Sequence, residues 1–138
     1  MRIEEIESAL AISIPVAHRK ALLDSADPIH EACDFLVPDS PHKLLRLCDV
    51  NEFLHASDRP DAWPEFLVAF ASNGCDDYFA YDTRQSPYVI VYIDPDNTVA
   101  DNLDMDDGYT FDSFDEWHEA KCRQHEGIKN GGCPGLKD

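Results

Sequence analysis

Val89-Ile-Val-Tyr-Ile-Asp94-Pro-Asp96-Asn-Thr98 is the segment whose residue types most suggest chemistry. An apolar run delivers two carboxylates, groups able to serve as nucleophile or as general acid and base. The acids continue through Asp101, Asp104, Asp106 and Asp107, so the same stretch also invites a hard cation. An EF-hand calcium loop starting at Asp94 needs Gly where Val99 stands and Glu where Met105 stands; starting at Asn102 it needs Gly where Asp107 stands. Both registers fail. His118, Cys122 and His125 share one face of a helix at i, i+4 and i+7, and Cys133 could complete a four-ligand zinc set. That spacing matches no common zinc module, so an amphipathic helix with incidental histidines is the preferred reading. There is no GxSxG, no glycine-rich phosphate loop and no HExxH. In Asn73-Gly74-Cys75 the thiol lies beside Asp76 and Asp77, whose charge disfavours a thiolate, so a structural turn is expected there.

The Asp94-x-Asp96-x-Thr98 spacing resembles the nucleophile motif of haloacid-dehalogenase-type phosphatases. In that family the motif opens the domain and a doubly wound sheet follows. Here 40 residues follow Thr98 and carry no βαβ pattern. A strand running into an acidic turn is therefore preferred to a nucleophile without its partners. No catalytic residue and no cofactor is expected.

Composition narrows the classes. The chain has 138 residues, 28 acidic against 11 basic, for a formal net charge of −17, and 43% of its residues are apolar. That suits one domain, placed at residues 1–126, with the glycine-rich residues 127–138 as a flexible tail. No apolar run approaches the roughly 18 residues of a membrane span. Glu4, Glu5 and Glu7 argue against a secretory signal, so a cytoplasmic chain is expected. Phosphate-backbone binding needs clustered positive charge, which is missing. The acidity is uneven: residues 60–120 hold 15 acidic groups and one basic group, Arg84. Such a field repels anions and steers basic partners. Five cysteines at irregular spacing, without CxxC, suggest neither a disulfide framework nor a zinc finger.

The elements that position these residues can be read from periodicity. Ile3, Ile6 and Leu10 mark a helix over about residues 2–11, with Glu4, Glu5 and Glu7 on its other face. Pro15 opens a second helix whose Val16, Leu22, Leu23 and Ala26 are expected to face the core, ending at Asp27-Pro28. Residues 29–42 read as an irregular connection, Leu44 to Leu47 as a short strand, and Asn51 as the cap of a helical turn holding Phe53 and Leu54. Leu67 to Ala71, Tyr78 to Tyr81 and Tyr88 to Ile93 form an antiparallel meander with Asn73-Gly74 in its first turn. Residues 94–108 read as a long acidic loop, and Tyr109 to Phe111 as an edge strand. Ser113 and Glu116 form a capping box for a helix over 114–124, stopped by Gly127. Trp63, Phe70, Phe114 and Trp117 are expected in the core. The class is α+β: N-terminal helices and a C-terminal helix packed on one mixed, largely antiparallel sheet.

Four segments in this order resemble the SUKH superfamily, the Smi/Knr-type domains. Residues 3–15 are similar to the opening helix and the start of the next, with Ile14 where Leu is usual. Trp63-Pro64 with Leu67-Val-Ala-Phe70-Ala resembles a "WP…lvpFa" strand. Asn73-Gly-Cys-Asp-Asp77-Tyr-Phe-Ala-Tyr-Asp82 resembles a "dGcGDyfcld" turn and strand, with Asp76 where Gly is usual. Phe111-Asp-Ser113-Phe114-Asp-Glu-Trp117 resembles an "F.SFeeFL" terminal helix. If the turn needs positive φ at residue 76, Asp tolerates it better than most residues, though less well than Gly. The resemblance implies a non-catalytic protein. Bacterial members are typically immunity proteins that block a cognate toxin, often a nuclease domain of a polymorphic toxin; fungal members are cell-wall regulators, the alternative reading. A basic, nuclease-like toxin is the partner expected here. The expected contact residues are Asp76, Asp77, Tyr78, Asp82, Asp94, Asp96, Asp104, Asp106 and Asp107, and Tyr81, Tyr88 or Tyr92 could add an aromatic anchor.

Overall fold

The structure is a computed structural model and describes residues 2–104 and 110–129. In chain order its elements are α1 (Ile3–Leu10), α2 (Val16–Leu23), α3 (Ile29–Ala32), β1 (Asp34–Phe35), α4 (Leu47–Leu54), β2 (Leu67–Ser72), β3 (Tyr78–Asp82), β4 (Val89–Ile93), α5 (Val99–Asp104), β5 (Thr110–Phe111) and α6 (Phe114–Lys129), with a 3₁₀ turn at Lys43–Leu45 before α4. The strands lie in the order β1-β2-β3-β4-β5, each antiparallel to its neighbour. The fold is therefore α+β, as the sequence suggests. Among the described residues parallel pairing is confined to one isolated bridge, Val37 with Arg46.

Every residue of β2 is buried, which explains its unbroken apolar run: a strand covered on both faces has no need to alternate. Phe79 and Tyr81, two apart on β3, share a face and meet the helical layer. Trp117 of α6 lies 4.8 Å from the Phe70 ring and 5.4 Å from Phe79, and Tyr81 stacks on Phe70 at 4.6 Å. Trp63, Phe70, Phe114 and Trp117 are all buried, as expected. Ser113 begins α6 by accepting the Glu116 N–H at 3.2 Å.

Several local expectations are overturned. Helix α2 is rotated from the anticipated face: Val16 and Leu23 are 69% and 73% exposed and Ala26 is also exposed, while His18 and Ala21 are buried. The cause is aromatic. His18 stacks on Phe114 with centroids 4.7 Å apart and bonds Tyr81 Oη through Nδ1 at 2.8 Å, which turns the helix toward α6. Residues 29–42 are not wholly irregular but contain α3 and β1, elements too short to leave a periodic signature. Leu44 to Leu47 is no strand; the 3₁₀ turn leads directly into α4. Asn51 is no cap but a buried residue inside α4. Its Nδ2 donates to Leu47 O and Ala69 O, both at 2.9 Å, and its Oδ1 accepts Ala69 N–H at 2.8 Å. The side chain thus satisfies the edge of β2 where the ladder with β1, which pairs only with Ala71 and Ser72, has ended. The acidic stretch after Asp94 contains α5 rather than only a loop. Helix α6 runs through Gly127 to Lys129, so that glycine does not stop it; residues 130–138 of the expected tail lie outside the described residues.

Candidate functional site

The turn between β2 and β3 is built around one carboxylate. Asp77 Oδ1 accepts the N–H groups of Asn73 at 3.0 Å and Cys75 at 3.4 Å and the Ser72 hydroxyl at 3.3 Å; Oδ2 accepts the Tyr92 hydroxyl at 2.6 Å. Burial opposes ionisation of Asp77, but the bonds from Tyr92, Asn73 and Cys75 outweigh it and hold the carboxyl below its usual pKa. Gly74 supplies φ +94° and Asp76 φ +62°, so position 76 does take the left-handed conformation that favours glycine. As a result Asp77 is buried in the turn while Asp76 stands exposed at its tip.

Antiparallel register decides which other acids join Asp76. Ser72 pairs with Asp34, and Tyr78 pairs with Ile93, the residue before Asp94. Asp34, Asp76 and Asp94 therefore sit at one end of the sheet. Asn102 stitches the following loop to the same end: its Oδ1 accepts Asp94 N–H at 2.9 Å, and its Nδ2 donates to Asp94 O at 3.0 Å and Thr98 O at 2.9 Å. Asp94 Oδ1 accepts Asp96 N–H at 2.9 Å, so one of the paired carboxylates shapes a turn. Asp96 and Asp104 are exposed on this loop and on α5. The phosphatase resemblance has no scaffold here, because the strand before Asp94 belongs to an antiparallel meander.

Asp82 does not belong with them. It ends β3 opposite Leu67 and Val89, about 13 Å along the strand from Tyr78. Its carboxylate is matched by Arg84, with Nη2 to Oδ2 at 2.8 Å and Nε to Oδ1 at 3.1 Å, and this pairing holds its pKa below the usual range. Asp106 and Asp107 lie outside the described residues. Of the four tyrosines considered as anchors, Tyr81 is wholly buried, Tyr92 donates to Asp77, and Tyr88 Oη accepts Ser13 N–H at 3.0 Å. Tyr78 is half-buried, edge-on to Trp63 at 5.9 Å, and faces a cleft.

That cleft, of about 340 Å³, lies between the β2–β3 turn and α4. Asp34, Asp76 and Tyr78 line one side, and Leu44, Val50 and Phe53 the other. Leu44 is 75% exposed and Phe53 57% exposed. Asp34, Leu44 and Phe53 are the residues the sequence reading missed. A signal for Phe53 did exist: Leu47, Val50, Asn51 and Leu54 already form a complete i, i+3, i+4, i+7 stripe, and Phe53 lies off it. Arg59 covers one face of the Phe53 ring at 4.7 Å while donating to Leu54 O. Chemically the cleft offers carboxylates beside apolar walls, an arrangement suited to the aliphatic stem and charged head of Lys or Arg.

Of the four residues considered for zinc, His118 and Cys122 are neighbours on α6, with Cys122 Sγ 3.9 Å from each ring nitrogen. His125 instead lies 3.7 Å from Glu31, and Cys133 falls outside the described residues. The side chain that does reach His118 is Asp27, at 2.8 Å.

A family model, SMI1 / KNR4 family (SUKH-1), matches residues 2–120. The chain belongs to this family. Neither a search of curated proteins nor a search of solved structures finds a match. The SUKH-1 match spans every element from α1 into α6, so the acidic end of the sheet is part of the family domain and not an appendage. No described helix of this SUKH-1 chain is long and apolar enough to cross a membrane.

Proposed function

We propose that this SUKH-1 chain is a non-catalytic immunity protein that binds a basic, nuclease-like toxin domain and blocks it. The observation that carries the reading is the pairing of exposed carboxylates Asp34 and Asp76 with the exposed apolar side chains Leu44 and Phe53 around one cleft. Stable protein interfaces combine an apolar anchor with a polar, charge-matched rim. A nuclease surface that holds a phosphodiester backbone is positively charged, and an acidic protein gains fast, steered association with it. Family membership supports the absence of catalysis, since these domains generally act by binding.

The test is co-expression of the toxin domain encoded beside this chain, followed by calorimetry on the purified pair. The expected result is rescue from toxicity and a one-to-one complex that weakens as salt rises. Phe53→Ala should cost about 2 kcal/mol of binding, as for a well-packed aromatic anchor, and Asp76→Lys should slow association more than it speeds dissociation. No rescue and no complex at low salt would refute the antidote reading and leave the regulatory Smi/Knr-type scaffold.

A further inference from the structure

Away from the acidic end, α6 and the connection between α2 and α3 bring three potential metal ligands together. His118 and Cys122 project one turn apart from α6. Asp27 comes from the connection between α2 and α3, where its Oδ1 also accepts Ile29 N–H at 2.9 Å and so is held by the turn that begins α3. Asp27 Oδ1 lies 2.8 Å from His118 Nε2, and Cys122 Sγ lies 3.9 Å from that nitrogen. One donor atom from each side chain lies within 4.8 Å of the other two, and all three residues are partly buried.

We propose that Asp27, His118 and Cys122 bind a zinc ion through one oxygen, one nitrogen and one sulfur, with a fourth position open to solvent. Zinc bonds of roughly 2.0–2.3 Å at tetrahedral angles set neighbouring donors about 3.2–3.8 Å apart. The Cys122–His118 separation is already close to that, and the Asp27–His118 pair need open by only about half an ångström. The donor mix excludes calcium and magnesium as preferred ions, because both favour all-oxygen sets, and it suits borderline zinc. Cys122 Sγ is equally far from both ring nitrogens, so coordination through His118 Nε2 would draw the sulfur toward that nitrogen and away from Nδ1. Two nearby groups are engaged elsewhere: the Cys33 thiol is directed at Ile29 O at 3.9 Å, and His30 Nε2 contacts Ala21 O at 2.9 Å and Asp24 O at 3.1 Å. The ion would bridge α6 and the α2–α3 corner, independently of any partner reading.

Cobalt(II), a spectroscopic substitute for zinc, provides the test on the reduced, metal-stripped full chain. The expected result is one equivalent bound, with the visible bands of tetrahedral cobalt and a sulfur-to-cobalt charge-transfer band displaced by zinc. Cys122→Ser should abolish the charge-transfer band, whereas Cys75→Ser, which alters an exposed thiol, should not. Asp27→Ala and His118→Ala should each weaken zinc binding about tenfold or more, judged against ligand-sphere changes in known sites. Far-UV circular dichroism checks that each variant folds. Should a variant fail to fold, zinc protection of Cys122 from alkylation in the unmodified chain, read by mass spectrometry, decides instead. A folded chain with no charge-transfer band, a band that persists in Cys122→Ser, or no protection of Cys122 would overturn the assignment.

Discussion

Acidification from pH 7 to pH 5 should destabilise the chain by about 2 kcal/mol through a single buried base, His18. Its ring is packed among Phe35, Phe70, Tyr81 and Phe114. Nδ1 meets Tyr81 Oη at 2.8 Å, and Nε2 has no hydrogen-bond partner among the described residues. Burial therefore lowers the His18 pKa to about 3, against about 6.5 in an unfolded chain. Above pH 6.5 both states are neutral and the residue costs nothing. Below it the unfolded chain takes up a proton that the folded chain refuses, so stability falls by about 1.4 kcal/mol per pH unit until the folded pKa is reached. The full loss approaches about 5 kcal/mol, comparable with the whole stability of many domains. Urea unfolding of the wild type and His18→Leu at pH 7, 6 and 5 measures this. The variant loses the Tyr81 hydrogen bond, an offset of about 1 kcal/mol that is the same at each pH, so the slopes are compared. Asp77 and Asp82, whose pKa values are lowered, titrate below this window. If the two chains lose stability in parallel between pH 7 and pH 5, the reasoning from a buried neutral imidazole is wrong.

Asn51→Leu keeps the shape of the side chain but strands the Ala69 N–H and C=O, so a loss of about 2–5 kcal/mol is expected in thermal or urea unfolding; a loss below about 0.5 kcal/mol would show that the β2 edge finds other partners. Asp77→Asn removes a carboxylate whose folded pKa is depressed, and whose stabilisation is present above about pH 4 and lost as pH falls through the folded value. That variant should be less stable at pH 7 by about 2 kcal/mol and show a flatter acid limb than the wild type; an unchanged acid limb would remove Asp77 from the account. Asp76→Gly relieves the left-handed backbone and should raise stability by about 0.5 kcal/mol, whereas Asp76→Val should lower it by about 1 kcal/mol or more; equal melting temperatures for the two would contradict the φ argument.

Much of the fold is written in short-range patterns. Ile3, Ile6 and Leu10 specify α1, the Ser113 cap specifies the start of α6, and the dense β-branched and aromatic runs specify β2, β3 and β4. Each depends on residues a few positions apart. The failures share a cause as well. The orientation of α2 was set by a histidine that looks polar in sequence but packs among aromatic rings contributed by β1, β2, β3 and α6. Asn51 looks like a helix cap until β2 is placed beside it. Neither outcome has a local signature.

The same division holds for the acidic surface. Sequence alone determined that the negative charge concentrates in residues 60–120, because charge is a property of composition. Only the tertiary structure decided which carboxylates are free to meet a partner. Tyr92, brought beside Asp77 by strand pairing, turns that carboxylate inward; Arg84 neutralises Asp82 at the far end of β3. Antiparallel pairing of β1 with β2 carries Asp34, from outside the acidic segment, to the side of Asp76, with Leu44 and Phe53 exposed beside them. Strand register and helix packing join residues distant in the chain, and that long-range geometry makes a face out of a charge excess.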